Sequence, residues 1–227
     1  MGVTTEGVIA GYYGDAPEGS PTHGFIKQGE TVATIDVPGA SSTLVRSIND
    51  AETVVGSYYD VAGIEHGFVR VSGGDFVTFD APALVGTDAT VYGTVASGVN
   101  ASGVIVGYSY TVGPDLWFYD EGEPDPITRY HGFVRSSDGT MTTYDAPGAM
   151  TVGGPHVGTR LFGINTAGNL VGAFSYLKVT RTDTYPMHAG FLVAGKKFTR
   201  IVSPDVPTNS CGWTEPRAVN DLGVMVA

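Results

Sequence analysis

Apolar, β-branched and aromatic residues fall in short stretches along the chain, and each stretch ends at a cluster of Gly, Asn, Asp or Pro. Residues 43–80 show the pattern once: "TLVRSI", "TVVGSYY", "HGFVRV" and "DFVTFD", separated by "NDAE", "DVAGIE" and "SGG". Stretches this short, bounded by turn formers, predict β-strands. Strand 1 is expected near Thr43–Ile48, strand 2 near Thr53–Tyr59, strand 3 near His66–Val71 and strand 4 near Asp75–Asp80. The linkers "NDAE" and "SGG" make hairpins of strands 1–2 and 3–4. Asn and Gly suit such turns because they adopt positive φ at little cost. With 33 Gly and 13 Pro, the punctuation is too dense for long helices.

The pattern repeats. His-Gly-Phe occurs at His23, His66 and His131, and "HAGF" at His188 reads as a looser fourth copy. About a dozen residues on comes Asp-x-Pro, ending at Pro38, Pro82, Pro147 and Pro207. An Asn-led turn follows, at Asn49, Asn100, Asn165 and Asn220, with spacings of 51, 65 and 55 residues. A unit of about 43 residues with insertions lies in the range of propeller blades. Four antiparallel strands repeated four times predict an all-β propeller of four blades in a single domain over residues 1–227, with a β-sandwich as the runner-up. "MGVTT" leaves little room for a strand 1 ahead of "GVIAGYYGD", whereas "PRAVN" matches "LVRSIN" and "RLFGIN". The expectation is therefore a ring closed by residues near Arg217–Asn220 pairing with the N-terminal blade. A five-bladed form and a piece of a longer array are the alternatives.

The pattern His-(Gly/Ala)-Phe, then Asp, then Ile-Asn-x-x-Gly-x-Val-Val-Gly resembles the bacterial HAF family of extracellular repeats. The resemblance runs over nearly the whole chain. It departs from the family in having Gly for Ala in three copies, and "DAPGA"-type segments where a Leu-Gly-rich stretch is usual. It implies a secreted or cell-surface repeat protein whose leader is absent from this chain, and it carries over no catalytic residue. The repeated His reads as a side chain that fixes a loop by hydrogen bonding, with a ring of four metal-holding histidines as the alternative. The Asp of "DAP" and "DVP" reads as an Asx-type turn.

Composition narrows the function classes. At 42% hydrophobic and 15% charged residues the chain is a folding one. A net charge of -11, with no cluster of Lys or Arg, argues against nucleic acid and anionic membranes as partners. No apolar run reaches the length of a membrane span, and a monomer is expected. Cys211 is the only cysteine, so there is no internal disulfide framework. As a nucleophile it lacks an identifiable base.

The 1→2 and 3→4 connections are uniformly short, while every long insertion lies in a 2→3 connection or between units. All elaborated loops therefore fall on one face, around the mouth of a central channel, where a rigid scaffold would carry function. That set contains Trp117, Tyr119, Tyr130 and Trp213, with Asp120, His156, Arg160, Glu215 and Arg217. Aromatic faces beside forked donors and carboxylates suit a sugar or other small polar ligand. The acidic run Asp120, Glu121, Glu123 and Asp125 reads as a solvated loop, with a calcium site as the alternative. No other metal or cofactor is implied. Two further classes stay open. His156 with Glu215 or Asp120 could supply acid and base to a lyase or hydrolase acting on a saccharide or other polar substrate, with Arg160 or Arg217 holding an anionic substrate. The same face could instead dock another protein.

Overall fold

The computed structural model describes the chain except for residues 16–19, 83–92, 118–124, 152–155, 180, 182–183, 203–213 and 227. Every regular element among the described residues is a strand. The first unit comprises β1 (Gly2–Val3), β2 (Ile9–Gly14), β3 (Thr22–Gln28) and β4 (Thr31–Thr34); the second, β5 (Ser42–Ile48), β6 (Val54–Tyr59), β7 (Glu65–Arg70) and β8 (Phe76–Phe79). The third comprises β9 (Gly93–Val99), β10 (Ile105–Trp117), β11 (Asp125–Arg135) and β12 (Met141–Tyr144); the fourth, β13 (His156–Ile164), β14 (Leu170–Val179), β15 (Thr184–Ala194) and β16 (Lys197–Ile201). A hairpin of β17 (Ala218–Val219) and β18 (Met225–Val226) follows. The expected strands of residues 43–80 are present, to within two residues at each end.

Each 1→2 turn is built the same way. The Asn49 Oδ1 accepts from the N–H groups of Ala51 and Thr53. Asn100 and Asn220 hold two turn amides in the same manner, and Asn165 holds that of Asn169. The spare amide groups then tie one turn to the next: Asn49 Nδ2 donates to the Asn100 carbonyl, Asn100 Nδ2 to that of Asn165, and Asn165 Nδ2 to that of Asn220. A buried amide thus satisfies its own turn and its neighbour's together.

The other repeated residues bind strands within a unit and then one unit to the next. His23, His66 and His131 each place Nδ1 against the Asp of the following motif, at 2.7 Å to Asp36, 2.8 Å to Asp80 and 3.1 Å to Asp145. The Asp therefore clamps the repeat histidine across strands rather than capping a local turn. The next residue donates its N–H to a buried Thr on strand 1 of the following unit: Val37 to Thr43, Ala81 to Thr94 and Ala146 to Thr159. The Phe of His-Gly-Phe is buried at Phe68, Phe133 and Phe191 and anchors three apolar clusters, each drawing on adjacent units. A single unit cannot bury its own faces, so the core is a stack of inter-unit layers.

Strand 1 carries a bulge. In β5 the register steps from Val45↔Gly56 to Ser47↔Val55, which leaves Arg46 as the extra residue. In β9 the extra residue is Ser97, and in β13 it is Phe162. The bulge presses the carbonyl oxygens of Leu44, Val95 and Arg160 onto Gly56, Gly107 and Gly172 of strand 2, where a Cβ would overlap them. The repeated Val-Gly of strand 2 is thereby explained.

Three sequence expectations need correction. The sheets are open: one has four strands, one is a mixed sheet of twelve and one has two, so the four-bladed propeller closed by paired ends is not formed, nor is a closed five-bladed one. Neighbouring units instead join edge to edge by parallel pairing, Glu65 with Gly93 and residues 128–130 with 156–158. The first unit also has its own strand 1. Thr4 stands where other units have Asn: its Oγ1 accepts from Val8 N–H, and Gly7 takes φ 81°. β1 pairs with β2 in consequence, and residues near Arg217–Asn220 pair with β18 instead. Finally, much of two long "loops" is strand, since β10–β11 and β14–β15 are extended hairpins.

Gly107→Ala should cost about 1–3 kcal/mol, the range for forcing an extra carbon into a packed site. Gly14→Ala, whose Cβ would meet only the Thr22 methyl at 3.8 Å, should leave stability nearly unchanged. Urea denaturation of both variants measures the difference, and equal midpoints would contradict the bulge geometry.

Candidate functional site

Counting back from the turn residue aligns the five first strands. Three places before it stand Met1, Arg46, Ser97, Phe162 and Arg217; two before, Gly2, Ser47, Gly98, Gly163 and Ala218; one before, Val3, Ile48, Val99, Ile164 and Val219. These fifteen residues line one cavity of about 430 Å³. Small side chains in the middle set let the strands approach closely. A Cβ on Gly163 would come within 3.1 Å of Ala218 Cα, and one on Gly2 within 2.8 Å of Ile48 N. A contiguous space of about 450 Å³ is lined by Met1, Arg46, Ser97, Phe162 and Arg217 again, now with Tyr12 and Tyr108 from strand 2.

Two charged networks border this space. Arg46 Nε donates to Ser57 Oγ at 3.4 Å, and its Nη2 stands 3.6 Å from Glu65 Oε1. Glu65, only 4% exposed, also accepts from Ser57 Oγ at 2.6 Å and from Tyr110 Oη at 3.0 Å. Burial, followed by the Glu65 charge, raises the pKa of Tyr110 and of Tyr59, so both phenols stay protonated. In the second network Arg160 Nη2 donates to Glu215 Oε1 at 2.5 Å, and Arg217 Nη2 donates to Glu215 Oε2. The Arg160 guanidinium lies over Tyr130 and Phe162, at 5.0 and 5.4 Å, and that of Arg217 over Phe162 at 4.5 Å. Tyr130 in turn faces His156 with ring centroids 6.3 Å apart. Burial raises the pKa of Tyr130 while Arg160 opposes it.

Five expected site residues, Tyr130, His156, Arg160, Glu215 and Arg217, therefore share one cluster. Trp117 is not with them in the backbone: it ends β10, seven residues beyond Tyr110, the partner of Tyr130. That is about 20 Å along a strand. Tyr119, Asp120 and Trp213 lie outside the described residues, as do Cys211 and most of the acidic run expected to bind calcium. Among the described residues no group of three or more His, Cys, Asp or Glu side chains is placed to hold a metal ion. The pairing of His156 with Glu215 as acid and base is not the one that forms around Glu215, whose two oxygens each accept from a guanidinium.

Arg46 stands out in the sequence, like Arg160 and Arg217, as an arginine close to strand 1. Sequence reasoning missed Ser97, Tyr108, Phe162 and Glu65. Their common signal is position relative to the Asn turn and to His-Gly-Phe, which becomes readable only once the bulge is known. His188 was misassigned. Phe133 pairs with Gly107 and Phe191 with Gly172, so alignment on Phe makes Ala189, not His188, the counterpart of His131. The extra residue in "HAGF" moves His188 to the preceding position, which Thr22, Glu65 and Tyr130 hold in the other units. There it belongs with the Arg160 network. Burial, with the charges of Arg160 and His156, pushes its pKa down to about 4 against the pull of Glu215. Comparison with known protein families finds no family model that matches, and comparison with curated proteins finds no match.

The two histidine environments should separate in an imidazole ¹⁵N NMR titration. For His66, burial lowers the pKa, but the hydrogen bond and charge of Asp80, joined by Asp60, outweigh it. The Asp36 hydrogen bond likewise raises that of His23. Their stabilising contribution is complete below the ordinary value of 6.5 and is lost as pH rises through the folded-state pKa. For His188 the sign reverses: stability declines as pH falls from 6.5 towards about 4. One imidazole should stay neutral at pH 5 while those of His23 and His66 are protonated. Titration of His188 near 6.5 would contradict its placement.

Proposed function

We propose that the protein is an extracellular binding module for a carbohydrate or similarly small polar ligand, taken up in the cavity between the first strands and at its Tyr130–Arg160 mouth. One observation carries the reading. Positions with a structural task keep one residue type or one size from unit to unit, such as the buried Thr43, Thr94 and Thr159 or the small Gly, Ser and Ala at the closest strand approach. The bulge position has no such uniformity. It holds Met1, Arg46, Ser97, Phe162 and Arg217, all lining the cavity. The strand 2 position beside it also varies, as Tyr12, Ser57, Tyr108 and Ala173. A scaffold that presents varied polar and aromatic side chains from fixed positions is how a site is grafted onto a fold. Tyr12, 43% exposed at the cavity wall, offers a ring to an apolar sugar face. The extracellular placement rests on the HAF-like repeat pattern.

A glycan array followed by isothermal titration calorimetry tests this reading. Saturable binding to a saccharide is expected, weakened roughly tenfold by Tyr12→Ala, a loss of about 1.4 kcal/mol. The thermal midpoint should hardly move, because the ring is largely solvated. Absence of binding to any saccharide at millimolar concentration would overturn the proposal, and turnover of the bound saccharide would replace it with an enzymatic one.

A further inference from the structure

We infer that the ligand carries a carboxylate, as a hexuronic acid does, and that Arg46 and Arg217 receive it inside the cavity. The inference rests on the carbohydrate reading above and narrows it. Arg46 is the extra residue of the β5 bulge, Arg217 stands at the aligned position just before β17, and both line the two contiguous spaces of about 430 and 450 Å³. Volumes of that order suit a ligand the size of one or two sugar rings.

Three features make the pair a receptor rather than a structural bridge. The first is charge. Among the described residues that line the two spaces are two guanidiniums, Arg46 and Arg217, and no carboxylate. Cationic side chains therefore line a cavity in a chain whose net charge is -11. The field of the molecule as a whole repels anions, so capture of one requires a local counter-charge of this kind. The second is orientation. Each guanidinium is already held by a protein carboxylate, Arg46 by Glu65 and Arg217 by Glu215, which fixes the fork before any ligand arrives. A guanidinium has five N–H donors in a rigid plane, more than these partners engage. Arg217 keeps 61% of its side chain exposed and Arg46 29%. The third is what lies beside them. Tyr12 and Tyr108 supply rings, and Ser97 a hydroxyl, for the sugar to which the carboxylate is attached.

Calorimetric titration with galacturonate and glucuronate, beside galactose, glucose and their 6-phosphates, tests the assignment. At least one uronate should bind tenfold or more tighter than its parent hexose and tighter than the phosphate, with the preference shrinking as salt is raised. Arg46→Gln and Arg217→Gln should each reduce that preference to less than threefold. Arg217→Lys should recover only part of it, because a point charge lacks the fork. A hexose bound as tightly as its uronate, or a preference that survives both Gln variants, would overturn the carboxylate assignment and leave the carbohydrate reading standing. Tighter binding of a 6-phosphate would overturn it in favour of a phosphate receptor. If the wild-type protein binds none of these sugars and no glycan on the array, the underlying reading falls with it.

Discussion

The extra residue in strand 1 governs both the packing and the site. A bulge sets two residues of one strand against one of the other, so the surplus side chain leaves the ladder and the strand bends. In β5, β9 and β13 the bend drives a carbonyl oxygen onto the facing strand at a spot where only glycine fits. The released side chains turn towards the space between the first strands, and small residues one position later let those strands converge on it. One local distortion, repeated, therefore dictates the Val-Gly of strand 2, the small residues of strand 1 and the existence of a cavity with replaceable walls.

Adhesion between units follows a different logic. Each unit exposes two faces that no strand of its own can cover, and the buried Phe68, Phe133 and Phe191 fill the gaps to neighbouring units. Around these apolar layers the polar contacts are directional and run in one sense. The Asn ladder passes from each turn to the next, while the Asp-x-Pro amides reach forward to the following Thr. Such bonds add little net stability individually, about 1 kcal/mol each. Their larger effect is to set the stagger between units, since a displaced unit would leave buried amide groups unpaired.

Strand positions were legible because turn chemistry is local: Asn, Gly and Asp-x-Pro mark ends that no long-range contact can shift far. Architecture was less legible for the same reason. At Thr4 a hydroxyl performs the task that Asn performs elsewhere, so motif matching overlooked β1 and reassigned its place to residues 217–220. At His188 a single added residue preserves the letters of the motif and exchanges the face on which the imidazole lies, because side chains alternate along a strand. Pairing between units through Glu65 and Gly93, or Tyr130 and Gly158, has no sequence pattern at all. At the second of these pairs it depends on Gly158, where a Cβ would overlap the Tyr130 carbonyl; at Gly93 a Cβ would meet the Tyr110 ring of its own hairpin. Of the site, the Tyr130–His156–Arg160–Glu215–Arg217 cluster was readable from loop placement and Arg46 from its place near strand 1, while Glu65 was concealed within a motif that appeared wholly structural.

That concealment has a physical basis. Glu65 occupies the position before the repeat histidine, where the other units have Thr22, Tyr130 and His188. Burying a carboxylate there is costly unless it is fully hydrogen-bonded. Ser57 and Tyr110 donate hydrogen bonds to it and Arg46 adds an ion pair at 3.6 Å, from three different strands. Arg46 is thereby held in place by a residue that is itself out of reach of solvent. Glu215 does the same for Arg217 and Arg160, but from the segment leading into β17 and not from strand 3. Two unrelated positions have thus come to supply one function, the immobilisation of a guanidinium at the cavity wall. A repeat architecture by itself does not demand this, since β9 manages at the equivalent place with Ser97. The charge arrangement is therefore additional to what the fold requires, and its cost falls mainly on Glu65, the more deeply buried of the two carboxylates.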